Sequence, residues 1–370
     1  MTTMQQRPFD FIPRTSTIFG EESFERLGSI ARSLGFQRVL IVSDPGIAKC
    51  GFVARAVKML WDVGLTVFTF HEFGANPDTA MVRACHDHAV PLMIDSIIGL
   101  GGGSSMDLAK AVNFLLTNGG VMKDYQGYGK ATRPMYPMIG VPTTAGTGSE
   151  AQSYCIISDA TTHSKMACGD PQAAFRVAIL DPLLTVSLPT DVTASSGYDA
   201  LSHAVESFVC TKRTAMARML AREAFRLMES NFETVLKTPA DTGARGAMLL
   251  GSHYAGMAIE NSMLGATHAC ANPLTAHFGT THGVAIAMLL QHVVRWNRAH
   301  ADYDELRPYL AERLQELALT AGMPRDLRSV GIDSSLFGTL SKEAGEQWTG
   351  KHNPRPFDAA GAMEIYQCAF

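Results

Sequence analysis

The stretch GYDALSHAVES, Gly197 to Ser207, sets Asp199 and His203 four residues apart in a run with helical spacing. Residues at i and i+4 share one helix face, so this pair can offer a carboxylate oxygen and an imidazole nitrogen to one ion. A hydrogen-bonded Asp–His pair on a buried face has the same spacing. Downstream, GATHACANPLTAHFGTTHG, Gly265 to Gly283, holds His268, His277 and His282. On one straight helix His268 and His282 would lie ~21 Å apart along the axis and could not share an ion. Pro273 and Gly279 are expected to break that helix, and Thr280 or Thr281 to cap a new one at His282. Folding back would bring the two histidines together. Asp199, His203, His268 and His282 then supply one oxygen and three nitrogens, a set suited to Fe²⁺, Zn²⁺ or another first-row divalent ion. A catalytic ion of this kind also needs a position open to a substrate oxygen.

A second chemistry is written in glycine. In DSIIGLGGGSSMDLAKAVNF, Asp95 to Phe114, an apolar strand runs into Gly101, Gly102 and Gly103. Ser104 and Ser105 follow as possible caps of a helix expected near Met106. Glycines admit close approach of a ligand to the backbone, and free N–H groups at a helix start attract phosphate. The match to the dinucleotide fingerprint is imperfect, with Ser104 where the third glycine belongs, and a tight strand-to-helix turn has the same composition. Asp44 ends the run Val39–Ser43, where a carboxylate can accept hydrogen bonds from an adenosine ribose and repel a 2′-phosphate, favouring NAD over NADP. It precedes the glycine turn, whereas the usual acid lies ~20 residues after it, and a cap before Pro45 is the alternative. The loop VPTTAGTGSE, Val141 to Glu150, crowds Thr143, Thr144, Thr147 and Ser149 after a strand. It suits cofactor phosphates or the nicotinamide ribose, and ordinary turn chemistry suits it too.

The elements that must position these groups fall into two regions. Val39–Ser43, Leu65–Phe70, Asp95–Leu100 and Met138–Val141 read as strands, with a helix at Val53–Val63 between the first two. This alternation predicts a parallel α/β sheet. From Thr190 onward the pattern is helical, most clearly at Ala215–Leu236 and Gly243–Ser262, and no strand is expected. The boundary falls near Asp181–Pro189. It divides the chain into an α/β dinucleotide-binding domain, residues 1–185, and an all-helical domain, residues 186–370.

The chain has 370 residues, 46% hydrophobic and 18% charged, with a formal net charge of -4. That balance is globular, and with no basic run it excludes nucleic acid as the main partner. No apolar run reaches the ~18 residues of a membrane span, and the first residues lack an apolar signal core. A cytoplasmic setting follows as the expectation. Seven cysteines without a C-x-x-C pattern give neither a disulfide framework nor a thiolate zinc site.

Taken in order along the chain, these motifs resemble the iron-containing, or group III, alcohol dehydrogenases. The resemblance rests on GGGSSMDLAKA, PTTAGTGSE, GYDALSHAVES and the pair His268 and His282. TIFG (Thr17–Gly20), AILDP (Ala178–Pro182) and NPRP (Asn353–Pro356) support it. It implies a dehydroquinate-synthase-like architecture with the active site in the cleft between the domains. By motif it implies Asp199, His203, His268 and His282 as metal ligands. Gly101, Gly102, Gly103 and Ser104 correspond to the diphosphate loop, and Thr143, Thr144 and Ser149 to the nicotinamide side. Leu180, within AILDP, falls on the cofactor side, and Asp44 corresponds to the NAD-selecting acid. Asp107 and Lys110 match as structural residues. The implied reaction is reversible hydride transfer between a small alcohol and its aldehyde or ketone, with NAD and a divalent ion, Fe²⁺ before Zn²⁺, in a homodimer or larger homo-oligomer.

One departure stands out. Family members mostly carry a histidine four residues after the first C-terminal histidine ligand, often proposed as a proton relay, and here the residue is Asn272. An amide hydrogen-bonds but does not titrate near neutral pH. His277, close in sequence, is the candidate replacement. Asn272 also keeps a metal-independent, maleylacetate-reductase-like reading in view. A dehydroquinate-synthase-like lyase needs a Lys and Arg cluster that these motifs lack, and a non-catalytic binding protein would not need both motif sets intact.

Overall fold

The computed structural model describes residues 8–370, which form two compact units, Pro13–Leu188 and residues 8–12 with Pro189–Phe370. In the first, the strands are β1 (Ser16–Phe19), β2 (Arg38–Val42), β3 (Thr66–Phe70), β4 (Ser96–Gly101), β5 (Gly127–Tyr128), β6 (Met138–Pro142), β7 (Tyr154–Ser158), β8 (Lys165–Gly169) and β9 (Val177–Leu180). Its helices are α1 (Leu27–Ser33), α2 (Pro45–Lys49), α3 (Phe52–Asp62), α4 (Thr79–Ala89) and α5 (Gly103–Asn118).

Six strands make one parallel sheet in the order β1-β9-β6-β4-β2-β3. Strands buried on both faces read as continuous apolar runs. Val39 and Ile41 face one core with Leu27, Ala56 and Leu60 of α1 and α3. Leu40 and Val42 face the other with Val82 of α4 and Val112 of α5. From β2 the chain steps outward to β3 and then returns to the other side of β2 for β4. The strand order therefore reverses between β2 and β4, where ligands bind in sheets of this type.

The four expected strands are all present, within a residue or two at each end. Three features differ from expectation. Helix α5 begins at Gly103 with Gly102 at its N-cap, so Ser104 and Ser105 lie in its first turn and cap nothing. Strands β1 and β9, read only as motif matches, close the far side of the sheet. A small second sheet, β5-β8-β7, was not foreseen. Its β7 and β8 pair across the polar turn Asp159–Ser164, in which His163 takes a φ of 58°.

The second unit is helical: α6 (Thr190–Val209), α7 (Ala215–Lys237), α8 (Thr242–Glu260), α9 (Ala266–Phe278), α10 (His282–Asn297), α11 (Leu310–Thr320), α12 (Phe337–Glu346) and α13 (Ala359–Cys368). No strand follows Leu180 among the described residues. Helix α6 is its axis, buried without interruption from Gly197 to Val209. A Cβ at Gly197 would press on Phe232 of α7 and Met248 of α8, so glycine lets the three helices close up. Among the described residues no helix is long and apolar enough to cross a membrane.

Candidate functional site

Burial of α6 gives its polar residues no access to water, so they must face partners. Asp199, His203 and Glu206 fall on one face at spacings of four and three. The Oδ1 of Asp199 lies 3.5 Å from Nε2 of His203, 3.5 Å from Nε2 of His268 on α9 and 3.9 Å from Nε2 of His282 on α10. One ligand atom from each of Asp199, His268 and His282 falls within 4.8 Å of the others. His203 joins them through Asp199 and by stacking its ring 4.9 Å from that of His268. Asp199 Oδ1 and His268 Nε2 are buried and make no hydrogen bond. Leaving such atoms unmatched in a dry interior costs about 1–3 kcal/mol each. A shared cation removes that cost, and donors ~2.1 Å from a tetrahedral ion stand about 3.4 Å apart. The residues present fit a divalent metal.

The electrostatics agree. Burial raises the Asp199 pKa, but the surrounding imidazoles outweigh it and hold the carboxyl well below its usual range. Burial likewise works against charge on Glu206, and its bonds to His268 and Thr267 override it and lower its pKa. Burial disfavours the His268 imidazolium, yet Asp199 and Glu206 together raise its pKa to about 9. Two ionised carboxylates thus draw positive charge into the cluster, supplied by a proton on His268 or by a metal ion.

The fold-back that joins His268 to His282 follows the sequence expectation at Gly279 and Thr281 and departs from it at Pro273. Helix α9 continues through Pro273, which supplies no N–H to the carbonyl four residues back but does not stop the helix. The break comes at Gly279, in the left-handed region with a φ of 63°. Thr281 takes the N-cap of α10 through its backbone carbonyl, which accepts from Val284 and Ala285, and its side chain caps nothing. Gly283 then lets α10 start directly against α6, because any Cβ there would collide with the Ser195 carbonyl. This contact brings His282 to Asp199. Thr275 Oγ1 lies 3.4 Å from His282 Nδ1, on the ring nitrogen away from the cluster.

In the α/β unit, Asp44, Gly101–Ser104 and Thr143–Thr144 gather at the C-terminal ends of neighbouring strands β2, β4 and β6. Gly101 has a φ of 148°, and a Cβ there would collide with Ser105 Oγ. Cβ atoms on Gly102 and Gly103 would press on Thr144 and Thr147 respectively. The glycines therefore let the two loops touch, and they leave the first turn of α5 without a side-chain cap. Thr143, fully buried, donates its N–H to Gly101 O at 3.0 Å. Asp44 is the cap that the alternative reading expected. Its Oδ1 accepts from Gly46 and Ile47 at 2.9 and 3.1 Å, while Oδ2 faces Ser105 Oγ at 3.4 Å. Ser104 Oγ accepts from the Asn76 N–H at 3.1 Å.

Two cofactor-side expectations meet side chains that are already committed. Ser149 Oγ donates to Asp107 Oδ1 at 2.7 Å and accepts from the buried Lys110 ammonium at 3.0 Å. Lys110 also reaches the carbonyls of Ser149 and Tyr154. Asp107 and Lys110 staple α5 to the threonine loop. Leu180 is fully buried at the end of β9, and its carbonyl accepts from Gly20.

The profile described as iron-containing alcohol dehydrogenase matches residues 14–182, and the profile of the family's C-terminal domain matches residues 193–370. The alcohol dehydrogenase 4 of Schizosaccharomyces pombe is 32% identical, over 93% of this chain and 85% of its own. The NAD-dependent methanol dehydrogenase of Bacillus methanolicus is 30% identical, over 93% and 95%. The crystal structure of a 1,3-propanediol oxidoreductase superposes with a TM-score of 0.94 at 30% identity, covering 98% of this chain and 100% of that one. The chain belongs to the iron-containing alcohol dehydrogenase family. It is an oxidoreductase acting on alcohols or the carbonyl compounds they yield, and the metal-independent reductase and lyase readings are not favoured.

Within that family the residue at the relay position and its candidate replacement look unlike each other. Asn272 sits one turn beyond His268, nearly buried, and its Nδ2 donates to Gln347 Oε1 at 3.1 Å. His277 is nine residues from His268, on the opposite face of the helix. Its ring is 44% exposed and its Nε2 lies 2.8 Å from the Glu343 carboxylate of α12. The structure does not bring His277 into the cluster. Glu206 was missed altogether. It bonds His268 Nδ1 at 2.6 Å, and the signal available was its position seven residues after Asp199 on the same face.

Proposed function

We propose that this chain catalyses reversible hydride transfer between a small alcohol and its aldehyde or ketone, using NAD(H) and a divalent ion. The observation that carries the proposal is the convergence of three imidazole Nε2 atoms on one buried Asp199 oxygen. Asp199, His203, His268 and His282 would hold the ion, Fe²⁺ by family and Zn²⁺ by the same donor chemistry. When bound, the ion supplies Lewis acidity toward an alcohol or carbonyl oxygen and the nicotinamide supplies the hydride exchange.

The chain's own residues do the rest. The uncapped first turn of α5 and Gly101–Gly103 present backbone N–H groups suited to a diphosphate. Asp44 Oδ2 stands beside that turn and suits a ribose hydroxyl over a 2′-phosphate. Thr143 and Thr144 hold the glycine turn in shape. Ser149 and Leu180 act from within the packing, keeping the loop and strand end in place. Asn272 presents a neutral amide one turn from His268, so it orients a polar group and carries no proton. His277, committed to Glu343 at the surface, is given no part in the chemistry. The names of the methanol and propanediol enzymes among its relatives support a small substrate. The family likeness supports a cytoplasmic homo-oligomer.

The test is NADH formation by the full chain with a panel of small primary alcohols and diols. It is run after chelation, with metal loss confirmed by elemental analysis, and after return of Fe²⁺ or Zn²⁺. Activity lost with the metal and regained with it is the expected result. Full activity in the stripped protein contradicts the metal's role, and no activity with any alcohol in the loaded protein contradicts the substrate class.

A further inference from the structure

We infer that Glu206 is a positioning residue for the metal-binding face: it decides which nitrogen of His268 faces Asp199 and ties the ring to the start of α9. The inference rests on the ligand assignment above. Glu206 is 4% exposed on α6, two turns from Asp199. Its Oε2 lies 2.6 Å from His268 Nδ1, and its Oε1 accepts from the Thr267 N–H at 2.7 Å. A carboxylate only accepts hydrogen bonds, so the Nδ1 of a neutral His268 must carry the proton. Its Nε2 lone pair is then directed at Asp199. Outer partners of this kind fix a ligand ring and raise its basicity.

A helix cap alone does not explain the arrangement. The neighbouring first-turn donor of α9, the Ala266 N–H, is taken by Asn353 Oδ1 at 3.2 Å. Asn353 is the first residue of the NPRP motif, which the ligand set leaves unexplained. It is locked in turn: Nδ2 donates to Asn297 Oδ1 at 2.7 Å and to the Arg355 carbonyl at 2.8 Å. Asn297 donates back to Asn353 Oδ1 at 3.0 Å and to Tyr303 Oη at 3.2 Å. At Gly265 a Cβ would come 3.0 Å from Glu206 Oε1 and 2.9 Å from Asn353 Oδ1. Glycine there leaves room for both acceptors. The two acceptors divide the work. Asn353 anchors the helix start and touches no ligand, whereas Glu206 spends one oxygen on the helix and the other on a ligand ring.

That division is what a test can read. Glu206→Gln keeps the shape but cannot accept at both His268 and Thr267, and Asn353→Ala removes only the anchor. Each full-length variant is stripped of metal and its Zn²⁺ affinity measured by competition with a chromogenic chelator. The melting temperature of the metal-free form and the visible spectrum of the Co²⁺ form are recorded alongside. Both variants are expected to melt earlier. Only Glu206→Gln should bind Zn²⁺ about 10–100-fold more weakly and shift the Co²⁺ spectrum, because only it frees the His268 ring. Equal loss of Zn²⁺ affinity in both variants would reduce Glu206 to a structural role and overturn the inference, as would unchanged affinity in Glu206→Gln. Asp199→Ala is the control, and if it too keeps its Zn²⁺, the ligand assignment fails and the inference with it. Should Glu206→Gln not fold, Glu206→Asp, whose shorter carboxylate cannot reach both His268 Nδ1 and the Thr267 N–H, should weaken Zn²⁺ in the same direction. Unchanged affinity in that variant overturns the inference.

Discussion

The two candidate binding regions reach specificity by opposite means. On α6, α9 and α10 the functional atoms are ionisable side chains brought together with their valence unmet, as in Asp199 Oδ1 and His268 Nε2. At the ends of β2, β4 and β6 the side chains are mostly spent on one another. Asp44 caps a helix, Ser149 is held by Asp107 and Lys110, and the threonines fill the space over the glycines. What remains to meet a ligand there is largely backbone. A metal site must keep charged donors from satisfying each other, and a diphosphate turn must clear side chains away. Damage should therefore propagate differently in the two regions.

The largest effect is expected at the metal face. Asp199→Ala should take metal content and alcohol-dependent NADH formation to background while leaving NADH binding intact, checked by elemental analysis and by fluorescence titration of NADH. Retention of metal at the normal level would break the comparison at its root. Next comes the staple under the threonine loop. Lys110→Met removes the buried ammonium that bonds the Ser149 and Tyr154 carbonyls, and hydrogen bonds to a charged group contribute about 1.5–3 kcal/mol each. Denaturant unfolding should show that loss, with a raised KM for NAD. At the turn itself, Gly103→Ala pushes a Cβ against Thr147. Overpacking of ~1–3 kcal/mol corresponds to roughly a tenfold to hundredfold loss of NADH affinity, with metal content unchanged.

A pH effect separates the regions further. His268 has its pKa raised to about 9 in the metal-free site, above its unfolded value of about 6.5. Its contribution to metal-free stability is therefore full below about pH 6.5 and is lost as pH rises through 9. Metal must displace the same proton, so Zn²⁺ affinity should rise by up to about tenfold per pH unit over that window. Melting temperatures of the stripped protein should fall across this range, and chelator competition should show the opposing gain in affinity. The smallest effect belongs to His277→Ala, which removes an exposed pair worth at most about 1 kcal/mol and should leave the pH–rate profile unchanged.

Much of this was legible beforehand, for physical reasons that differ by region. The central strands were readable because burial on both faces makes Val39–Val42 and Ile97–Leu100 uniformly apolar. The edge strand β1 and the β7–β8 hairpin were not, since half-exposed strands mix polar and apolar residues. At the metal face, i,i+4 spacing placed Asp199 with His203, and the need to fold back joined His282 to His268. Of the two expected breaks, Gly279 holds and Pro273 does not: proline is a strong local signal, and here the packing of α9 overrides it. Glycine at 279 and 283 sets the turn. Glu206 escaped because its spacing from Asp199 marks only a shared helix face, and its partner, His268, lies 62 residues away. Ser149 and Leu180 matched by motif, yet what their side chains touch could be seen only in three dimensions.

The central claim is that one oxygen and three imidazole nitrogens of the helical unit share a metal ion. An X-ray absorption spectrum of the reloaded full chain at the metal edge tests it most directly. The account predicts an N/O-only shell at about 2.0–2.2 Å, with outer-shell scattering from three imidazoles that drops to two in His268→Ala. A shell without imidazole scattering, or one that His268→Ala leaves unchanged, would contradict it.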